Sequence, residues 1–195
     1  MISFLKAKKC DFVYCDYYSF EGNNLSNRNL IKLSKYVAFK YINPIRACFL
    51  YSRKVMQIVG DYDPDVFLVE DCDYWIRTLK NFSMHHLDKP LYFYRVHNES
   101  LYSSRYYEVE VVKLLVRLKY DIMNLDQIAN LFVNLVARKN GRFFKLNKLL
   151  AKILFSKEIN TILKDFKMRK VSFKKARSDL KNIVDNKLVR IRRVK

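Results

Sequence analysis

An α/β sheet followed by a basic helical tail is the fold class that this sequence predicts, and three observations predict it. Short aromatic or β-branched runs alternate with helical periods over the first hundred residues, the pattern of strands covered by helices. Beyond Ser104 only helical periods remain. Charge divides at the same place. Residues 1–100 hold 14 Lys/Arg against 11 Asp/Glu, whereas residues 101–195 hold 24 against 8, within a formal net charge of +19. We therefore expect an α/β unit over 1–104 and a basic helical region over 105–195. Half the residues are hydrophobic and 15% are aromatic, enough for a packed core and unlike a disordered composition.

Taken in order, Ile2–Lys9 reads as the end of a helix and Asp11–Tyr18 as a strand. Glu21-Gly22-Asn23-Asn24 is a turn cluster. Residues 27–41 carry no decisive pattern, and the chain should be extended at Asn43-Pro44 because Pro disfavours helix in the residue before it. Ala47–Tyr51 is a second strand, and Arg53–Val59 a short helix stopped by Gly60. Met84–His97 is a strand or hairpin in which Phe93, Arg95 and His97 share one face. Tyr106–Met123 is helical, and Asn124-Leu125-Asp126-Gln127 is a capping box opening the next helix, which Lys139-Asn140-Gly141 stops. Phe143–Phe155 and Ser172–Arg193 are basic amphipathic stretches.

Between these elements lies the densest chemistry. Asp61, Asp63, Asp65, Glu70 and Asp71 crowd a loop that begins at Gly60 and contains Pro64. From Asp71 the period becomes helical, with Cys72, Trp75, Ile76, Leu79 and Phe82 on one face. Glu70 and Asp71 thus sit where a loop enters a helix. Free amides there stabilise a carboxylate, either as a plain N-cap or as a site that keeps an acid ionised. Spacing alone favours the cap.

Composition excludes several alternatives. Three glycines (Gly22, Gly60, Gly141) cannot build a G-x-G-x-x-G or P-loop phosphate cradle. No apolar run approaches the ~18–20 residues that span a bilayer. Lys6, Lys8 and Lys9 follow too soon on Met1–Leu5 for a signal peptide. Cys10, Cys15, Cys48 and Cys72 have no C-x-x-C pairing and no zinc-spaced His, and His85-His86 beside them reads as no metal site. We read the cysteines as reduced thiols of a cytoplasmic protein.

Two blocks in order, Gly-x-Tyr-Asp with Glu-Asp-x-Asp-x-Trp-x-Arg (Gly60–Arg77) and Pro-Leu-Tyr-x-Tyr-Arg-x-His-x-x-Ser (Pro90–Ser100), resemble the acceptor half of family 2 glycosyltransferases. The resemblance runs from about Phe4 to Ser100, half the chain. It implies a partial GT-A, Rossmann-like sheet and an inverting, nucleotide-sugar-dependent sugar transfer. It also implies Asp71 as catalytic base with Glu70 in support, and Arg95 and His97 closing on donor phosphates. Asp73 and Trp75 come with them on the substrate side, although the period puts Trp75 on the buried face and Arg77 beside the acids. A divalent metal, Mn or Mg, is the cofactor the resemblance implies, with His97 a ligand at most. The partners it implies are a nucleotide-sugar donor and a glycan or lipid-linked acceptor. Phe4–Tyr18 is similar to the helix and strand that follow the family's Asp-x-Asp metal motif. The nucleotide-binding half would therefore lie upstream, and Asp11 and Asp16 are a poor substitute. The chain is expected to be inactive unless that half completes it.

A reading from another class is a non-enzymatic basic module. Residues 142–195 hold 18 Lys/Arg against 4 Asp/Glu. Such a tail suits an anionic membrane, with Phe143, Phe144, Leu149, Leu150, Leu154 and Phe155 entering the interface and the protein peripheral on its cytoplasmic face. Nucleic acid fits less well, because few aromatics interleave with the charges after Phe173. A helical cap that covers the sheet is the plainer alternative.

Overall fold

The computed structural model describes residues 1–35, 45–139 and 144–192, a mixed α/β chain that divides into two compact units. The first holds residues 1–64 and 70–104, the second 65–69 and 105–195.

In the first unit, helix α1 (Ile2–Lys8) leads into β1 (Phe12–Cys15), every residue of which is buried. That burial follows from its place at the centre of a three-stranded sheet. β4 (Phe49–Tyr51) pairs with it antiparallel, Val13 opposite Leu50, and β5 (Met84–Leu87) pairs parallel, Val13 opposite His85. The strand expected over Asp11–Tyr18 breaks at Asp16 and resumes as β2 (Tyr17–Glu21) in a second sheet. There β3 (Asn29–Ile31) is antiparallel to β2 and β6 (Phe93–Val96) is parallel to it. The hairpin alternative for Met84–His97 is corrected. β5 and β6 each run parallel to β1 or β2, whereas hairpin strands oppose one another. The Asn43-Pro44 expectation falls outside the described residues.

The break has a physical cause. Asp16 is 1% exposed, and a buried carboxylate must be met by donors. Its Oδ1 accepts the Leu33 N–H at 2.9 Å and lies 2.8 Å from His86 Nε2. Its carbonyl accepts the Leu91 N–H at 3.2 Å. Burial pushes the Asp16 carboxyl up, but the Leu33 amide and His86 outweigh it and hold it below the usual range. The same charge, added to burial, lifts the Tyr14 phenol to about 12.

One helix covers the first sheet. Helix α2 (Arg53–Val59) ends at Gly60, whose φ of 76° is open to glycine and costly for other residues. Helix α3 (Glu70–Leu79) follows the acidic loop. Its Trp75 is fully buried against Phe12, Phe49 and Tyr51, with ring centroids 5.2, 4.3 and 6.2 Å away. Cys72 and Ile76 are buried as their spacing predicts; Leu79 is not. The short α4 (Leu101–Ser104) closes the unit.

The second unit is helical: α5 (Tyr106–Lys119), α6 (Leu125–Lys139), α7 (Phe144–Lys167) and α8 (Phe173–Arg192). The capping box forms, Gln127 N–H donating to Asn124 Oδ1 at 2.9 Å and Asn124 N–H to Gln127 Oε1 at 3.1 Å. Val112, Leu115, Phe132, Val136, Phe155, Ile159, Leu163 and Leu180 are among the buried residues. The tail therefore has its own core. Phe155, expected to enter a membrane, is 6% exposed and belongs to that core instead. Leu149 stays outside, and Phe143 and the side chains of Phe144, Leu150 and Leu154 fall outside the described residues. Among the described residues no helix is long and apolar enough to cross a membrane.

Glu108 clamps α5 to α8. Arg105 and Arg177 each donate to it at 2.7–3.0 Å, and both guanidiniums lie over the Phe67 ring, which joins segment 65–69 to this unit. Burial pushes the Glu108 carboxyl up, but Arg177, Arg105 and the Lys181 charge hold it below its ordinary value. A depressed folded pKa gives stability that is present above the unfolded pKa of ~4.3 and lost as pH falls through the folded value. Glu108→Gln should cost about 1–3 kcal/mol at pH 7. It should also flatten the loss of helical circular dichroism stability as pH falls below the unfolded value of ~4.3. An unchanged acid slope in the variant would contradict the clamp.

Candidate functional site

The acidic loop and the start of α3 are held by one side chain. Arg77 Nε donates to Asp73 Oδ2 at 2.8 Å, one turn back on the same helix. Its two terminal nitrogens reach the loop, donating to the Val59 carbonyl at 2.6 Å and the Asp61 carbonyl at 2.8 Å. The guanidinium also lies over the Tyr74 ring, 5.2 Å from its centre. Five N–H donors in a rigid fork allow one residue to fasten three acceptors. The loop that leads to Glu70-Asp71 is thereby registered against α3.

On that frame Asp71 is exposed in the first helical turn, and its Oδ1 accepts the Cys72 N–H at 2.6 Å. Because α3 begins at Glu70, Asp71 lies inside the helix and this bond to the next residue is not the N-cap that spacing favours; the carboxylate stays in reach of solvent. Glu70 is half-buried, and its Oε2 is enclosed without a hydrogen-bond partner among the described residues. Tyr62 packs edge-on against Tyr74 at 5.0 Å. Burial, then the charges of Tyr51, Asp71 and Glu70, raise its phenol above the ordinary value. Asp61 and Asp63 belong to the same unit as α3, whereas Asp65 belongs to the helical unit.

Two expected substrate-side residues are enclosed. Asp73 is fully buried and bonded to Arg77, and Trp75 is fully buried against the sheet. Both hold α3 in place and neither presents an atom to a ligand. Arg95 and His97 sit elsewhere in the unit. Arg95 is on β6 opposite Phe20, and His97 lies just past that strand, where its carbonyl accepts the Ser100 N–H at 3.3 Å. Both are exposed. Asp71 thus rides on a helix of the first sheet, while Arg95 and His97 belong to the edge of the second.

No group of three His, Cys, Asp or Glu among the described residues is placed to hold a metal ion. A cavity of about 450 Å³ lies in the first unit, lined by Lys8, Lys9, Lys54, Asn81, Ser83 and His85 among others. Asp71, Arg95 and His97 do not line it.

The buried Asp16–His86 pair and the loop anchor made by Arg77 were not read from the sequence. The i,i+4 spacing of Asp73 and Arg77 carried a signal for the second. Nothing local announces a contact seventy residues apart, as in the first. No family model matches the chain, and no curated protein matches it either.

Removing the anchor should separate scaffold from chemistry. Arg77→Ala should cost about 2–4 kcal/mol, because it leaves Asp73 buried without its cation. It should also raise amide exchange across residues 60–63. Asp71→Asn should change stability by less than ~1 kcal/mol, the scale of one exposed hydrogen bond. Urea unfolding with hydrogen exchange on both variants checks this; equal losses would place Asp71 in the scaffold too.

Proposed function

We propose that this chain is the acceptor-side part of an inverting, nucleotide-sugar-dependent glycosyltransferase of the GT-A kind, acting on a glycan or lipid-linked hydroxyl. The observation that carries the reading is Asp71: an exposed carboxylate in the first turn of a helix fixed by Trp75 and Arg77. A base must be both accessible and held still, because misplacement costs rate steeply. In the proposed step Asp71 takes the acceptor hydroxyl proton as that oxygen attacks the anomeric carbon. The bond to the nucleoside diphosphate breaks on the opposite face, which inverts the centre. Glu70 orients the acceptor. Arg95, with His97, would balance charge on the departing diphosphate, which requires β6 and α3 to face one donor. Such charge stabilisation is commonly the largest part of the acceleration.

Without a metal-ligand set among its described residues, the chain alone should turn over no nucleotide sugar with Mn or Mg. It should still recognise acceptor. Titration of labelled chain with a panel of oligosaccharides should shift the Tyr62, Glu70 and Asp71 amides, and Asp71→Asn should change the affinity by less than about threefold. Transfer that disappears in Asp71→Asn would keep the base and overturn the incompleteness. No shift at these amides with any glycan would overturn the function.

A further inference from the structure

Helix α7 has two faces. Ala151, Phe155, Ile159 and Leu163 are buried in the helical unit. Leu149, Ile153, Lys157, Asn160 and Lys164 are all exposed and fall within an arc of about 80° at 3.6 residues per turn. Leu149 is 56% exposed and Ile153 is 67% exposed, one helical turn apart. Lys148 and Lys152, also exposed, lie about 60–100° round the helix from Leu149, on the side away from Ile153. At the far end Met168 is 63% exposed between Lys167 and the exposed Arg169 and Lys170. Large aliphatic side chains are here left in water inside a surround of cations, although the helix has a core to bury them in.

We propose that this outer face of α7 is a docking surface for an anionic lipid bilayer. Three occupants are worth weighing. A second copy would set the same lysines against each other, and two aliphatic side chains fall far short of the ~800 Å² per partner of a stable interface. Nucleic acid phosphates would engage Lys148, Lys152, Lys157 and Lys164 but would leave Leu149 and Ile153 wet. A bilayer takes both chemistries at once: acyl chains accept the aliphatic tips while anionic headgroups meet the lysines. The surface is narrower than the tail as a whole and does not include Phe155. It also differs from a purely electrostatic patch, since part of its affinity is apolar and survives salt.

Sedimentation of full-length chain with vesicles decides it. Binding is expected to phosphatidylcholine vesicles containing a quarter phosphatidylserine and not to phosphatidylcholine alone. Leu149→Ser with Ile153→Ser should weaken binding at least tenfold, the scale expected from losing apolar insertion. Lys148→Gln with Lys152→Gln should weaken it roughly twenty-five-fold, about fivefold for each lysine. All four side chains are exposed, so thermal melts of the variants should match the parent, and a matched melt makes the binding comparison valid. Equal binding by the serine variant and the parent would overturn the proposal, as would no binding by the parent. A dimer that the serine variant dissociates would assign the face to a second copy and overturn it as well.

Discussion

One buried carboxylate sets the arrangement of the α/β unit. Asp16 stands between β1 and β2 and meets the Leu33 amide, His86 and, through its carbonyl, the Leu91 amide. Two segments far from it in sequence, one at Leu33 and one at residues 86–91, are fixed by this residue. A charge enclosed to 1% exposure is tolerated only when such donors surround it. The unit therefore builds two short sheets that share a bent strand, and α3 packs against the first of them through Trp75.

From that frame the candidate chemistry takes its place. The rings of Phe12, Phe49 and Tyr51 fix Trp75 and so fix the helix axis. Arg77 fixes the entering loop by its backbone. Asp71 is what those two constraints leave exposed. The second unit follows a simpler rule, in which four helices spend their apolar stripes on one another and Glu108 clamps α5 to α8.

Local pattern made much of this legible. Arg53–Val59, its stop at Gly60 and the Asn124–Gln127 box depend on neighbours within four residues and formed as read, and the period of α3 held for Cys72, Trp75 and Ile76 but not for Leu79. What failed depends on distant partners. The break at Asp16 needs His86, the parallel course of β5 and β6 needs β1 and β2, and the burial of Phe155 needs the other helices. Strand β3 escaped because three residues are too few for a period to show. In the candidate site the exposed Asp71 and the loop–helix boundary were legible. The burial of Asp73 was not, since an acid in an acidic run reads as surface until its arginine is found.

The claim that Asp16 organises the unit is tested most directly by amide exchange in Asp16→Ala. Protection should fall together at Leu33, Leu91 and the strands β3 and β6, because the second sheet is registered through this residue. Loss of protection at Leu33 alone would contradict it, showing Asp16 to be a local cap and the two sheets to hold their registers independently.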